Sequence, residues 1–183
     1  AEASIGTPFV FMGTVYDLPA SSQIGGTILG INANLSIVES KHTNHTFKQS
    51  VLSDITINDP TISFSSQNQT QIKVKNCILN ASTSLQFYCV SDASTIDGDT
   101  YAFENCEINT PNIKLIYGSP YTPTGALYKN CTFNVGDVTA ITYLCTACNY
   151  PVVFENCKFV NNTDYQCYVT NDTLAAYMTF NGC

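Results

Sequence analysis

The stretch Phe103-Glu104-Asn105-Cys106-Glu107-Ile108 decides the fold of this chain, because versions of it return at nearly regular intervals. An apolar residue, one variable residue, Asn and Cys are followed, after another variable residue, by a second apolar residue. Segments 74–79, 128–133 and 154–159 repeat this pattern, and segment 180–183 repeats its first half. The Cys of this pattern recurs with a period of roughly 25 residues, which indicates a repeat protein.

A cruder copy of the unit precedes the first Asn-Cys pair. It spans residues 51–57, and we expect Asp54 to stand at the Cys position, one repeat before Cys77. Each unit also carries a second apolar run upstream, such as Ile62-Ser63-Phe64 or Leu85-Gln86-Phe87, in which apolar and polar residues alternate. A period of two predicts half-buried β-strands. Because the short strands of a single unit cannot form a separate domain, the units must stack into a solenoid.

The Asn-Cys pair predicts two columns of stacked side chains. Asn sits at a corner, where it tolerates left-handed backbone geometry and can hydrogen bond to the next rung. Cys points inward as a small apolar residue. We expect free structural thiols, although a disulfide or a metal site remains an alternative. The predicted ladder residues are Asn76, Asn105, Asn130, Asn156, Cys77, Cys106, Cys131, Cys157 and Cys183.

In these units the chain resembles the right-handed parallel β-helix family. The resemblance covers about residues 33–183 and implies an all-β solenoid of about six rungs, preceded by a short segment, 1–32, that does not repeat. It implies nothing about function, because polysaccharide lyases, adhesins and phage fibres share this fold.

Residues 1–32 form a predicted docking or capping segment. An extended stretch from Phe9 to Val15 precedes a connection rich in Pro, Gly and Ser. Residues 13–19, followed by a Gly pair, resemble a short module near the N-terminus of bacteriophage fibre proteins. That resemblance implies docking to a particle, whereas a cap over the first rung is the alternative. The candidate docking residues are Phe9, Phe11, Val15, Leu18 and Pro19.

Charge excludes several classes of function. The net charge is −7, and all seven positive residues are Lys. Nucleic-acid binding requires a basic surface, so we expect none. No apolar run approaches the length of a membrane-spanning helix, which predicts no membrane insertion.

The face of the upstream strands is where enzymes with this fold commonly work. The outward positions on this face should be Ser36, Ser63, Gln86, Lys114, Thr139 and Gln166, without a carboxylate among them. Asp92, Asp97 and Asp99 belong to a loop that could hold Ca²⁺ but is more typical of a solvated turn. His42, His45 and the Cys145-Thr-Ala-Cys148 motif lack partners for zinc or redox chemistry. We therefore expect no enzyme, no catalytic residue, no metal and no cofactor.

One column of aromatic residues follows the upstream strands. It consists of Tyr88, Tyr117, Tyr143 and Tyr168. Stacked Tyr rings could form a platform for sugars or a protein interface, or they could simply stack at a turn.

These patterns together predict a structural or adhesive virion component, a β-helical part of a bacteriophage fibre or capsid-decorating appendage. We expect assembly in the host bacterial cytoplasm, a position on the virion surface and a homo-oligomer, with a trimer favoured. Other virion proteins and a cell-surface glycan are the candidate partners. The chain stops on the repeat's own inward position, so we expect something else to cover its last rung. The alternatives are a carbohydrate-active enzyme using Asp97 and Asp99, and a secreted surface adhesin, for which seven Asn-x-Ser/Thr sequons provide weak support.

Overall fold

The structure, a computed structural model, describes residues 9–11, 15–17, 23–34, 37–39, 45–66, 71–89, 98–114, 124–134, 140–142, 151–160, 168–169 and 177–183. Within these ranges the chain consists of β-strands joined by short turns. The strands are β1 (Phe9–Phe11), β2 (Val15–Asp17), β3 (Gln23–Gly30), β4 (Ile37–Glu39), β5 (His45–Ser53), β6 (Thr56–Ser66), β7 (Ile72–Lys75), β8 (Ile78–Cys89), β9 (Tyr101–Glu104), β10 (Glu107–Asn109), β11 (Asn112–Lys114), β12 (Ala126–Lys129), β13 (Thr132–Asn134), β14 (Ala140–Thr142), β15 (Val152–Glu155), β16 (Lys158–Val160), β17 (Tyr168–Val169) and β18 (Met178–Asn181).

All described strand pairs are parallel, and they stack into three columns. Column A precedes the Asn-Cys corner and runs through β1, β3, β5, β7, β9, β12, β15 and β18. Column B follows the corner and runs through β2, β4, β6, β8, β10, β13 and β16. Column C contains the other ends of the long strands β3, β5, β6 and β8, followed by β11, β14 and β17. The chain is therefore a parallel β-solenoid, as the repeat predicted.

The repeating units stack in register. Phe103 pairs with Val74 on one side and with Tyr128 on the other, and Phe154 continues the row to Phe180. In-register stacking places equivalent residues on top of each other, so one sequence pattern produces continuous rows along the solenoid.

The core lies between the columns and contains the inward residues of each strand. Stacked aromatic rings fill it: the ring centroids of Phe103 and Tyr128 are 5.2 Å apart, and those of Tyr128 and Phe154 are 5.1 Å apart. Phe133 meets Tyr128 edge-on from column B. Fully burying one such side chain stabilises the fold by about 1.5–3 kcal/mol.

Left-handed backbone geometry marks each corner between columns A and B. The φ angles of Asn76, Asn105, Asn130 and Asn156 lie between 50° and 54°, and Gly182 has a φ of 66° at the equivalent place. Asn is one of the few residues other than Gly that adopt this geometry readily.

Two details differ from the expectations drawn from the sequence. Asp54 has a φ of 57° and stands at the Asn position, not at the Cys position, because Ser53 pairs with Lys75 and places Asp54 beside Asn76. Ile55 takes the inward place of Cys and is 1% exposed.

The number of rungs also differs slightly from the six expected. β1, β2 and β3 pair with the columns although their sequences lack the Asn-Cys signature, so the columns include strands that the repeat did not mark. β3 passes from column C to column A through a bulge at Gly25 and Gly26, where the φ of Gly26 is 89°. The division into segments 1–32 and 33–183 remains a prediction.

Candidate functional site

The corners carry a ladder of side-chain amides. Asn76 Nδ2 donates to Asp54 Oδ1 at 3.0 Å, and Asn105 Nδ2 donates to Asn76 Oδ1 at 3.2 Å. Asn130 Nδ2 continues the series to Asn105 Oδ1 at 3.1 Å. Each amide thus joins its rung to the preceding one. Asn156 shares the same backbone geometry.

A second amide ladder runs along four column B strands, β6, β8, β10 and β13. Asn80, Asn109 and Asn134 each donate from Nδ2 to the Oδ1 atom of the preceding rung at 2.6 Å, and the series begins at Asn58. Glu107 Oε1 accepts further hydrogen bonds from Asn109 and Asn134. We did not predict this ladder from the sequence, although an Asn at the third position after Cys77, Cys106 and Cys131 was a readable signal.

The cysteine column lies inside the solenoid. Cys77, Cys106, Cys131 and Cys157 are free and buried, whereas Cys183 is free and exposed. Each thiol contacts the carbonyl oxygen two residues upstream at 3.2–3.7 Å. The same contact in five rungs gives the thiols the same orientation, so they repeat with the spacing of the rungs.

Neighbouring thiols perturb each other's ionisation. The pKa of Cys131 is raised to about 12, first by the hydrogen bond with Cys106 and also by burial. For Cys106 the hydrogen bond with Cys131 lowers the pKa, but the hydrogen bond with Cys77 and burial outweigh it and raise the pKa to about 12. The hydrogen bond with Cys131, followed by burial, raises the pKa of Cys157. The pKa of Cys77 is lowered, mainly by the hydrogen bond with Cys106. Three of the four buried thiols are therefore held in the protonated form.

Tyr128 occupies the inward row of column A and has an unpartnered hydroxyl. Its side chain is 1% exposed, and its hydroxyl is the one buried side-chain nitrogen or oxygen without a hydrogen-bond partner in the described part of the chain. Burial is the main reason that its pKa is raised well above the ordinary value of Tyr. The Tyr101 hydroxyl, by contrast, donates to the carbonyl oxygen of Tyr88.

The outward residues of column A include a row of alternating charge. Lys75, Glu104, Lys129 and Glu155 occupy the same place in successive rungs. Lys75 Nζ lies 3.3 Å from a Glu104 carboxylate oxygen, and Lys129 Nζ lies 3.8 Å from Glu155. Opposite charges directly across neighbouring strands support the register.

The strand face on which enzymes of this fold carry their chemistry belongs to column C. Ser63 and Gln86 are 4% and 9% exposed, so the expectation that they lie on an open face is wrong at these two rungs. Alternation along a strand predicts the direction of a side chain but not what packs over it. Ser36, Thr139 and Gln166 lie outside the described residues, as does the side chain of Lys114.

The predicted tyrosine platform can be followed at one position. Tyr88 is half-buried and its hydroxyl donates to Gln86 Oε1 at 2.8 Å, while Gln86 Nε2 donates to Ser84 Oγ at 2.7 Å. Tyr168 belongs to β17, but its side chain is outside the described part. Tyr117 and Tyr143 also fall outside it, so the platform remains a prediction.

Only some of the candidate docking residues lie in the part of the chain that the structure describes. Phe9 and Phe11 belong to β1 and Val15 belongs to β2, whereas Leu18 and Pro19 lie outside the described residues. β1 and β2 are placed at one end of columns A and B.

Asp99 is the described member of the acidic loop, since Asp92 and Asp97 are outside the described ranges. Burial is the largest cause of its raised pKa, and the charge of Glu155 adds to it. Its carboxylate lies above Gly125, where an added Cβ atom would clash with Asp99 Oδ1. A larger residue at position 125 would therefore require the Asp99 carboxylate to move.

The described residues contain no group of three or more His, Cys, Asp or Glu side chains arranged to hold a metal ion. Nor do they include a helix with the length and apolar character needed to span a membrane.

Comparisons with protein-family models, with curated proteins and with solved structures find no match to this chain. They therefore provide no support for the resemblance of residues 13–19 to bacteriophage fibre proteins.

Proposed function

We propose that this chain is a structural or adhesive rod, a β-solenoid part of a bacteriophage fibre or capsid-decorating appendage that attaches through residues 1–32. The observation that supports this proposal is that polar side chains of successive rungs bond to each other. The two amide ladders and the charged row connect rung to rung along the outside of the solenoid.

Such ladders favour a mechanical role. An outer row of amides bonded along the solenoid axis adds a hydrogen bond to each backbone pairing and opposes shear between rungs. Beneath it, aromatic rings stack continuously from Phe103 to Phe180. A rod of this kind can hold a binding surface at a distance from a particle.

The assignment to a virion draws on three further features. In this proposal residues 13–19, whose sequence resembles a module of fibre proteins, supply the attachment, and the net charge of −7 keeps a surface rod soluble. Buried free thiols suit assembly in a reducing cytoplasm, where disulfides are rare. A cell-surface glycan is the candidate ligand for such a rod.

The proposal can be tested on particles from the source organism. Phage particles would be purified on a density gradient, labelled with gold-conjugated antibodies against the recombinant chain and examined by electron microscopy. Label on fibres or capsid projections, with peptides of the chain in the same fractions, supports the assignment. Peptides found only in the envelope or culture-medium fractions would overturn it.

A carbohydrate-active enzyme is the second candidate, and Asp99 is the observation that favours it. A raised pKa is what a general acid in glycoside cleavage requires. Purified protein would be incubated with a panel of bacterial polysaccharides and the release of reducing ends measured. Cleavage that is lost in both Asp97→Ala and Asp99→Asn would replace the structural proposal with this one, and no release from any polysaccharide would remove the candidate.

A further inference from the structure

The outward face of column A carries two rows of side chains side by side. The charged row contains Lys75, Glu104, Lys129 and Glu155. The second row lies two residues earlier in each strand, and we call it the apolar row: Val51, Lys73, Ala102, Leu127, Val153 and Thr179. Val51 is 39% exposed, and Ala102, Leu127 and Val153 are half-buried. The face thus combines apolar surface with charges of both signs.

The charged row becomes complementary to itself when its direction is reversed, because every position then carries the opposite charge. Read along the solenoid it is plus, minus, plus, minus, and read backwards it is minus, plus, minus, plus. A second copy turned upside down against this face therefore presents a negative charge to each positive one. We propose that two copies of this chain pair through column A, related by a two-fold axis that lies along the strand direction between the rungs of Glu104 and Lys129.

The contacts of this arrangement follow from the register. Lys75 faces Glu155 of the second copy, and Glu104 faces its Lys129. By symmetry each contact occurs twice, which gives four ion pairs between the copies. Two-fold pairing uses the same patch on both subunits, so a patch must be complementary to itself.

The apolar row fits the same symmetry. Ala102 faces Leu127 of the second copy, so a small side chain meets a large one, as interdigitating layers require. The aliphatic part of Lys73 covers Val153 of the second copy while its ammonium group reaches solvent. Val51 faces Thr179 at the margin.

The charges select this arrangement over a ring of parallel copies. If the copies met through this face with parallel solenoid axes and with equivalent rungs at the same height, Lys75 would meet Lys75 and Glu104 would meet Glu104. Like charges in contact are unfavourable. The charged row therefore indicates a two-fold dimer rather than the trimer expected from the sequence. This inference does not depend on the proposed function.

The size of the face sets the expected strength. Six rungs about 4.8 Å apart and strands of four residues give a face of roughly 25 by 13 Å. This is smaller than the ~800 Å² that each partner buries in a standard interface. We therefore expect a weak dimer that forms at high protein concentration and dissociates as salt rises.

The test uses a charge swap that is directed at the contact between copies, although it also places like charges at the paired positions 104 and 129 within the chain. In the double variant Lys75→Glu/Glu104→Lys the order of charges becomes minus, plus, plus, minus. The net charge and both ion pairs within the chain are kept, but all four contacts across the two-fold axis become repulsive. Swapping Lys129→Glu and Glu155→Lys as well restores the complementarity.

Sedimentation equilibrium from about 10 µM to 1 mM, at low and high salt, would measure association. We expect a wild-type dimer that dissociates in high salt, at least tenfold weaker association for the double variant, and recovery in the quadruple variant. A wild-type monomer over the whole range, a trimer, or unchanged dimerisation of the double variant would overturn the proposal.

A measurement on the wild-type chain covers the case in which a variant fails to fold. Carbodiimide links an amine directly to a carboxylate, and within one chain Lys75 and Glu155 are three rungs apart, or about 14 Å. A Lys75–Glu155 crosslink in the dimer band, identified by peptide mass spectrometry, supports the pairing. A dimer band with crosslinks only between other surfaces contradicts it.

Discussion

Replacing Tyr128 by Phe should stabilise the protein, although it removes a polar group and adds no contact. The Tyr128 hydroxyl is buried and has no hydrogen-bond partner among the described residues. In the unfolded chain the same hydroxyl bonds to water, so folding costs the desolvation of that group, about 1–3 kcal/mol. The ring itself should keep its place, because Phe103 and Phe154 occupy the equivalent position in the two adjacent rungs.

We therefore expect Tyr128→Phe to raise the free energy of unfolding by about 1–3 kcal/mol. For a chain of this length the thermal midpoint should rise by about 2–4 °C per kcal/mol. Urea unfolding followed by circular dichroism, with a thermal scan in parallel, would measure both quantities.

Tyr101→Phe is the matched control. Its hydroxyl donates to the carbonyl oxygen of Tyr88, so the same chemical change removes a hydrogen bond and should destabilise the protein by about 0.5–1.5 kcal/mol. Opposite signs for the two variants are the expected result. If Tyr128→Phe were neutral or destabilising, the hydroxyl would have a partner in the native protein and the reasoning would be refuted.

Three further outcomes follow from the ladders and the thiols. Asn105→Ala should destabilise the protein by about 1–3 kcal/mol, because it loses two ladder hydrogen bonds and places Ala at a positive φ. Asn105→Gly loses the same hydrogen bonds without the backbone strain, so it should destabilise the protein less. Equal urea midpoints for the two variants would contradict this. The free energy of unfolding should fall as pH rises from about 8.5 towards 12, because thiols of the unfolded chain ionise in this range. In the folded chain Cys106 and Cys131 stay protonated, since their pKa values are raised. With a reductant present, Cys131→Ala should weaken this dependence on pH. In a secreted form, glycans should appear at exposed Asn34 but not at Asn80, which is bonded within its ladder, and intact mass and glycopeptide analysis would decide.

Most of the fold could be predicted from the sequence, because the corner requires a particular residue. Positive φ restricts the choice largely to Asn, Asp and Gly, and the inward position beside it requires a small apolar side chain. Asn105 and Cys106 therefore mark a corner wherever the pair recurs. By the same reasoning Asp54 belongs at the Asn position, since Cys and Asp do not share a conformational preference.

The remaining features depend on packing that a single unit does not reveal. β1 to β3 join the columns without an Asn-Cys pair, because backbone pairing tolerates many side chains. The burial of Ser63 and Gln86 depends on what lies over column C. The charged row becomes visible only once units of unequal length are aligned by their strand register.

The alternation of charge in column A also restricts how the solenoid can gain or lose turns. Loss of residues 106–130 would remove one turn and connect Asn105 to Cys131, which keeps an Asn-Cys corner. It would also stack Glu104 directly on Glu155. Loss of residues 77–130 would remove two turns and bring Lys75 next to Glu155, which keeps unlike charges adjacent. Backbone pairing is kept when any number of turns is removed, whereas the alternation of charge is kept only when an even number is removed. Duplications and deletions that preserve this row should therefore involve even numbers of turns.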